Sequence, residues 1–115
     1  MSDQELVAIM KDFDLSQQNL VPLEKECARK EAVFKALDCQ TRTMEAAAFC
    51  RCKAPTMKER EMVARTDPAY LLHLEAVEIA RKDLLDCTAE LRAVRTRFKY
   101  CQSVVSMEKA KMNMI

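Results

Sequence analysis

The residues Thr66-Asp67-Pro68, followed by 69–113 as AYLLHLEAVEIARKDLLDCTAELRAVRTRFKYCQSVVSMEKAKMN, decide the fold. Asp67 has the side chain of a helix N-cap. Pro68 suits the first helical position, where its fixed φ is helical and its missing N–H would have had no partner. From that start a seam recurs every three or four residues: Tyr70, His73, Val77, Ala80, Leu84, Cys87, Leu91, Val94, Phe98, Cys101, Val105, Glu108 and Met112. Only His73 and Glu108 in this series are polar. No Gly or later Pro interrupts it, so the spacing predicts one helix over about 68–113, about 69 Å long at about 1.5 Å per residue.

Upstream, Thr56 and Glu59 form a capping box, in which the hydroxyl accepts from the third helical N–H and the carboxylate reaches back to the cap, and this predicts a short helix over about 57–64. Pro55 ends whatever precedes it. A second capping box, Ser2 with Glu5, opens the chain. After it a second seam runs Leu6, Ile9, Phe13, Ser16, Leu20, Leu23, Cys27, Lys30, Phe34, Leu37, Thr41, Met44 and Ala48. This predicts a long helix over about 3–53. The register passes Pro22 unchanged, so Pro22 either kinks that helix or opens a new one at its first turn, with the same face continuing.

Composition agrees with an all-α chain. Of 115 residues 32% are charged, 5% are aromatic, and none is Gly or Trp, which removes glycine-lined phosphate loops and most β architectures. The expected fold is a single helical domain, a long antiparallel coiled-coil-like hairpin. Phe34, Leu37, Leu84, Leu91 and Phe98 are the large seam residues expected at the core or dimer contact. Both long helices also carry apolar residues beside the seam, such as Val7, Met10, Val21, Val33, Leu72, Ala76, Ile79 and Met107. A stripe that wide fits a bundle helix, so a homodimeric four-helix bundle is the expectation. The alternative is a monomer whose middle helix or folded-back N-terminal segment covers the second stripe.

Net charge is +1, which argues against a chain-wide nucleic-acid or membrane field. No apolar run reaches the length of a membrane span, and the acidic start lacks the basic region of a signal peptide, so a cytoplasmic protein without membrane contact is expected. The six cysteines are then expected as free thiols.

If the hairpin reverses between Lys53 and Pro68, facing residues have numbers adding to about 121. On that rule the basic stretch with Arg92, Arg95, Arg97, Lys99, Lys109 and Lys111 lies beside Asp12, Asp14, Glu24 and Glu26. Charge pairing between the helices is preferred there to a nucleic-acid stripe. The adhesive end with Met107, Met112, Met114 and Ile115 lies beside Ile9 and Met10 and is expected to close the bundle. The tip is the better binding candidate: Arg51, Lys53, Lys58, Arg60 and Arg65 outnumber Glu59 and Glu61, and no acidic segment faces them. A phosphate backbone or an acidic protein surface fits there. Aromatic interleaving is sparse, which disfavours stacking on single strands.

Cys50 and Cys52 with His73 form the one metal-like group, but i and i+2 on a helix do not share a face and a fourth ligand is missing, so no metal or other cofactor is expected. His73 stands among apolar seam residues with no nucleophile at an interpretable spacing, and Glu75 and Glu78 follow it instead of preceding it by three as in di-iron bundles. No enzyme signature remains.

The segments Thr56-Met57-Lys58-Glu59-Arg60-Glu61, Thr66-Asp67-Pro68-Ala69-Tyr70 and Arg97-Phe98-Lys99-Tyr100-Cys101-Gln102-Ser103 resemble short helical proteins of unassigned function found in tailed-phage genomes. The resemblance covers roughly the last sixty residues, through helix-start and seam features that many helical proteins share. It implies a bacterial host cytosol and an accessory role, and supplies no catalytic residue. The expected function is therefore non-enzymatic: a helical-bundle protein that binds and modulates a host or phage protein, as an inhibitor or assembly factor. The alternative is a DNA- or RNA-binding accessory protein of recombination or replication that uses the basic tip.

Overall fold

The computed structural model describes residues 1–113, which are all-α with no strand among them. Four helices follow in order: α1 Asp3–Cys39, α2 Thr41–Arg51, α3 Met57–Ala64 and α4 Pro68–Asn113. Met114 and Ile115, expected to help close the bundle end, lie outside the described residues.

The helix starts are built by the residues the sequence supplies. The Glu5 N–H donates to Ser2 Oγ (3.2 Å) and the Ser2 N–H to Glu5 Oε2 (3.4 Å), a reciprocal capping box. The Glu59 N–H donates to Thr56 Oγ1 (3.2 Å) at α3, and the Tyr70 N–H to Asp67 Oδ2 (3.1 Å) at α4. Without glycine the helix ends cannot use a cheap left-handed residue, and no described residue has positive φ. The end of α3 closes instead with short-range bonds from the Thr66 N–H to Val63 O (3.0 Å) and from the Asp67 N–H to Ala64 O (3.1 Å). The Thr66 hydroxyl adds a bond to Val63 O (2.8 Å).

The first helix differs from the expectation of one element over about 3–53. Pro22 lies inside α1 without splitting it. Its side is exposed, so the carbonyl that loses its partner can be solvated. The break comes at Gln40, whose N–H donates to Leu37 O (3.1 Å), three residues back, while its dihedrals stay right-handed (φ −83, ψ −12). That tightened turn separates α1 from α2 just where the Thr41 side chain is held by His73 across the core (Oγ1 to Nε2, 3.0 Å). α2 then ends at Arg51, with Cys52 extended (φ −75, ψ 135) ahead of Pro55.

The chain divides into two compact units, Met1–Ala28 with Asp86–Ile115 and Arg29–Leu85. Each has its own core. In the first, Leu23, Cys27, Cys87 and Leu91 are buried together, with Leu20 and Val94 against them. Phe13 stacks on Phe98 (centroids 5.1 Å apart, 15° between planes), and Cys101 is 0% exposed. In the second, Ala48, Ala64 and Tyr70 are buried together beneath Met44, Phe49 and Leu74. Here Phe34 meets the Arg81 guanidinium (5.6 Å to the ring centroid) and Thr41 meets His73, so numbers rise along one segment as they fall along the other.

The register within each unit is shifted from the one expected. His73 meets Thr41 where a hairpin reversing midway between Lys53 and Pro68 would have put Ala48 beside it. Phe98 likewise meets Phe13 instead of Leu23. The offset is about two helical turns at Thr41 and His73 but only three residues at the tip, where Arg51 meets Asp67. There α3 packs on α2, with Glu61 and Ala64 beside Arg42, Glu45 and Phe49.

Candidate functional site

The tip of the second unit is a small cap made by the end of α2, the connection 52–56 and α3. Small residues permit it, because Ala48 and Ala64 are 2% and 3% exposed and present no bulk where the helices meet. Two of the cations expected to greet a ligand are used in its construction. Arg51 holds Asp67 through two bonds, Nη2 to Oδ2 (2.6 Å) and Nε to Oδ1 (3.4 Å). The bond from Arg51, then the Tyr70 amide, holds the Asp67 carboxyl below the usual carboxylate range, and the same pair raises Arg51 further above its ordinary value. Arg60 turns back so that Nε donates to Ala54 O (2.7 Å), fixing the connection that Pro55 opens.

Of the five tip cations, Lys53, Lys58 and Arg65 therefore remain uncommitted to the cap's construction, close in sequence to the exposed Glu59 and Glu61. Close to them in sequence are large apolar side chains that the sequence reading missed as exposed: Met57 is 70% exposed, Met62 62% and Val63 50%. Leu71, one turn into α4, is also exposed. Their signal lay in α3 itself, a helix of eight residues with few positions that can face inward.

The other expected site residues fall as follows. Leu91 is buried in the first unit's core, while Phe34, Leu37, Leu84 and Phe98 are half-buried. His73 is buried against Thr41. Cys50 is exposed and Cys52 half-buried, and none of the six cysteines forms a disulfide. Among the described residues no three His, Cys, Asp or Glu side chains gather as metal ligands would. No described helix is long and apolar enough to cross a membrane.

The basic stretch of α4 is answered in part within the first unit. Arg95 reaches Glu24 (3.1 Å), and Arg97 pairs with Asp12 while its guanidinium also lies 5.2 Å from the Tyr100 ring centroid. The bond to Asp12 raises Arg97 above its ordinary value. Lys111 pairs along its own helix with Glu108 (3.4 Å). Arg92, Lys99 and Lys109 are exposed.

The second unit also carries an open groove of about 410 Å³. Arg29, Lys30, Val33 and Leu37 form its α1 wall, and Ala76, Ile79, Ala80 and Asp83 its α4 wall. Compared with protein-family models, with curated proteins and with solved structures, the chain matches none.

Proposed function

We propose that this chain is a non-enzymatic helical protein that binds another protein through its cap and modulates it, as an inhibitor or assembly factor. Following the sequence resemblance, that partner is a phage or bacterial host protein in the cytosol. The chain forms an antiparallel hairpin, and two hairpins join as a four-helix bundle that carries the cap at its end.

The observation that carries this reading is the division of labour in the cap. Arg51 and Arg60 are bound internally, while Met57, Met62 and Val63 are left exposed, close in sequence to Lys53, Lys58 and Arg65. Exposed, flexible apolar side chains on a short helix, with cations close in sequence, suit an acidic, partly apolar protein surface. It suits a phosphate backbone poorly, because the three remaining cations are nearly offset by Glu59 and Glu61, and few counterions would be released. The internal bonds also pre-organise the cap, which lowers the ordering cost of docking.

Copurification from cells that carry the chain tests this. The wild-type chain brings down a protein that Met57→Asp with Met62→Asp does not, although both chains have the same helical circular dichroism. Nuclease treatment leaves that protein bound. A complex that dissolves with nuclease, or duplex or single-stranded nucleic acid bound tightly at low salt and released steeply as salt rises, supports the nucleic-acid reading instead.

A further inference from the structure

The groove of the second unit has a polarity that the bundle reading leaves unused. Its apolar lining consists of Val33 and Leu37 from α1 and Ala76, Ile79 and Ala80 from α4. Val33 is 55% exposed and Ile79 57%, an unusual amount of branched aliphatic surface to leave in water on facing walls. The charged residues divide by wall. The exposed Arg29 and the half-buried Lys30 stand on the α1 side and the exposed Asp83 on the α4 side.

We propose that this groove is the contact between two copies of the chain, related by a two-fold axis running along it. The inference rests on the dimer reading above and specifies its face and direction. A two-fold operation along the groove lays the α1 wall of one copy over the α4 wall of the other. Val33 then meets the partner copy's Ile79, and Arg29 meets the partner copy's Asp83. Each pairing occurs twice, which is the signature of an isologous interface. A copy docked in the opposite direction would lay α1 wall on α1 wall and α4 wall on α4 wall and exchange the ends of the groove, setting Arg29 over Leu37 and Asp83 over Ala76. That arrangement leaves the charged side chains facing apolar ones and loses the match of Val33 with Ile79. The charges thus select direction, as flanking charges do in coiled coils, while the aliphatic side chains supply the burial.

Sedimentation equilibrium on the full chain tests the face and its direction. The wild type is a dimer. Val33→Asp and Ile79→Asp, both at exposed positions, keep the helical circular dichroism and sediment as monomers. Arg29→Glu alone and Asp83→Arg alone each weaken self-association, by about tenfold or more for two altered pairs. Mixing those two single variants restores a dimer. The glutamate introduced at position 29 of one chain then faces the arginine introduced at position 83 of the other, and the unaltered Arg29 faces the unaltered Asp83. Pairing within one chain cannot give that rescue, so a mixture no tighter than its components overturns the proposal. A wild type that stays monomeric at high concentration removes the dimer reading and this face with it. A wild type that dimerises while Val33→Asp and Ile79→Asp remain dimeric spares the dimer reading and overturns only this face.

Discussion

The core of the first unit and the cap of the second are held by different physics. In the first, Leu23 and Cys27 meet Cys87 and Leu91, far apart in sequence, and the ion pairs Glu24–Arg95 and Asp12–Arg97 lie on exposed faces. Its stability is therefore a matter of apolar area removed from water, and the screened charges add little beyond fixing register. In the cap the contacts are local: Arg51 to Asp67, Arg60 to Ala54 O, Glu59 N–H to Thr56, with buried alanines where larger side chains would not fit. Two of the three residues buried there are alanines, which yield little hydrophobic energy beside Tyr70. Directional hydrogen bonds help hold its shape, and Met57, Met62 and Val63 are left outside.

The sharpest way to break this contrast is to excavate the first core. Leu91→Ala should cost about 2–3 kcal/mol, at the lower part of the range for buried leucine because part of the site can relax toward solvent. Thermal melts followed by circular dichroism measure it, and a cost under about 1 kcal/mol would mean that apolar burial does not hold this unit. Next is Thr41→Val, which removes the hydroxyl that meets His73 and leaves the buried imidazole nitrogen unsatisfied, at about 1–2 kcal/mol. Serine at this position should recover most of it.

Acid probes the cap. The Asp67 carboxyl is held below its ordinary value, so its contribution is fully present above the unfolded pKa of about 3.9 and is lost as pH falls through the lower folded value. The protection factor of the Tyr70 amide, its exchange rate relative to an unstructured peptide at the same pH, should therefore be unchanged from neutrality down to about pH 5 and fall below about pH 4. A protection factor that already falls near neutrality would show that Asp67 is not what closes this turn. The smallest effect is expected from Arg95→Ala, about 0.5 kcal/mol or less and smaller still at high salt. A larger loss would make the first unit's ion pairs structural and erase the contrast.

Much of the fold was legible because helix patterning is local. The three start signals at Ser2, Thr56 and Asp67 are each met by the expected side-chain bond. The positions marked as seam, from Ile9 through Leu23 and Cys27 to Val77, Cys87 and Cys101, are those the structure buries. What was not legible depends on how elements dock. The register depends on how the two long segments dock, which cannot be read from either helix alone, and the offset hid the Thr41 and His73 pair. Gln40 carries no Pro, Gly or cap signal, so the break between α1 and α2 was invisible too. At the tip, charge could be counted but not assigned, since a carboxylate at a helix start and an arginine sixteen residues earlier gave no sign that they would bond to each other.

The claim that the cap is a protein-binding surface is tested most directly by placing a photoreactive amino acid at Met62, irradiating cells that carry the chain, and identifying what becomes attached. The expected result is one discrete protein adduct, insensitive to nuclease and absent when the probe replaces the exposed Leu15 in the first unit. Adducts to nucleic acid, or the same protein captured equally from Leu15, would contradict it.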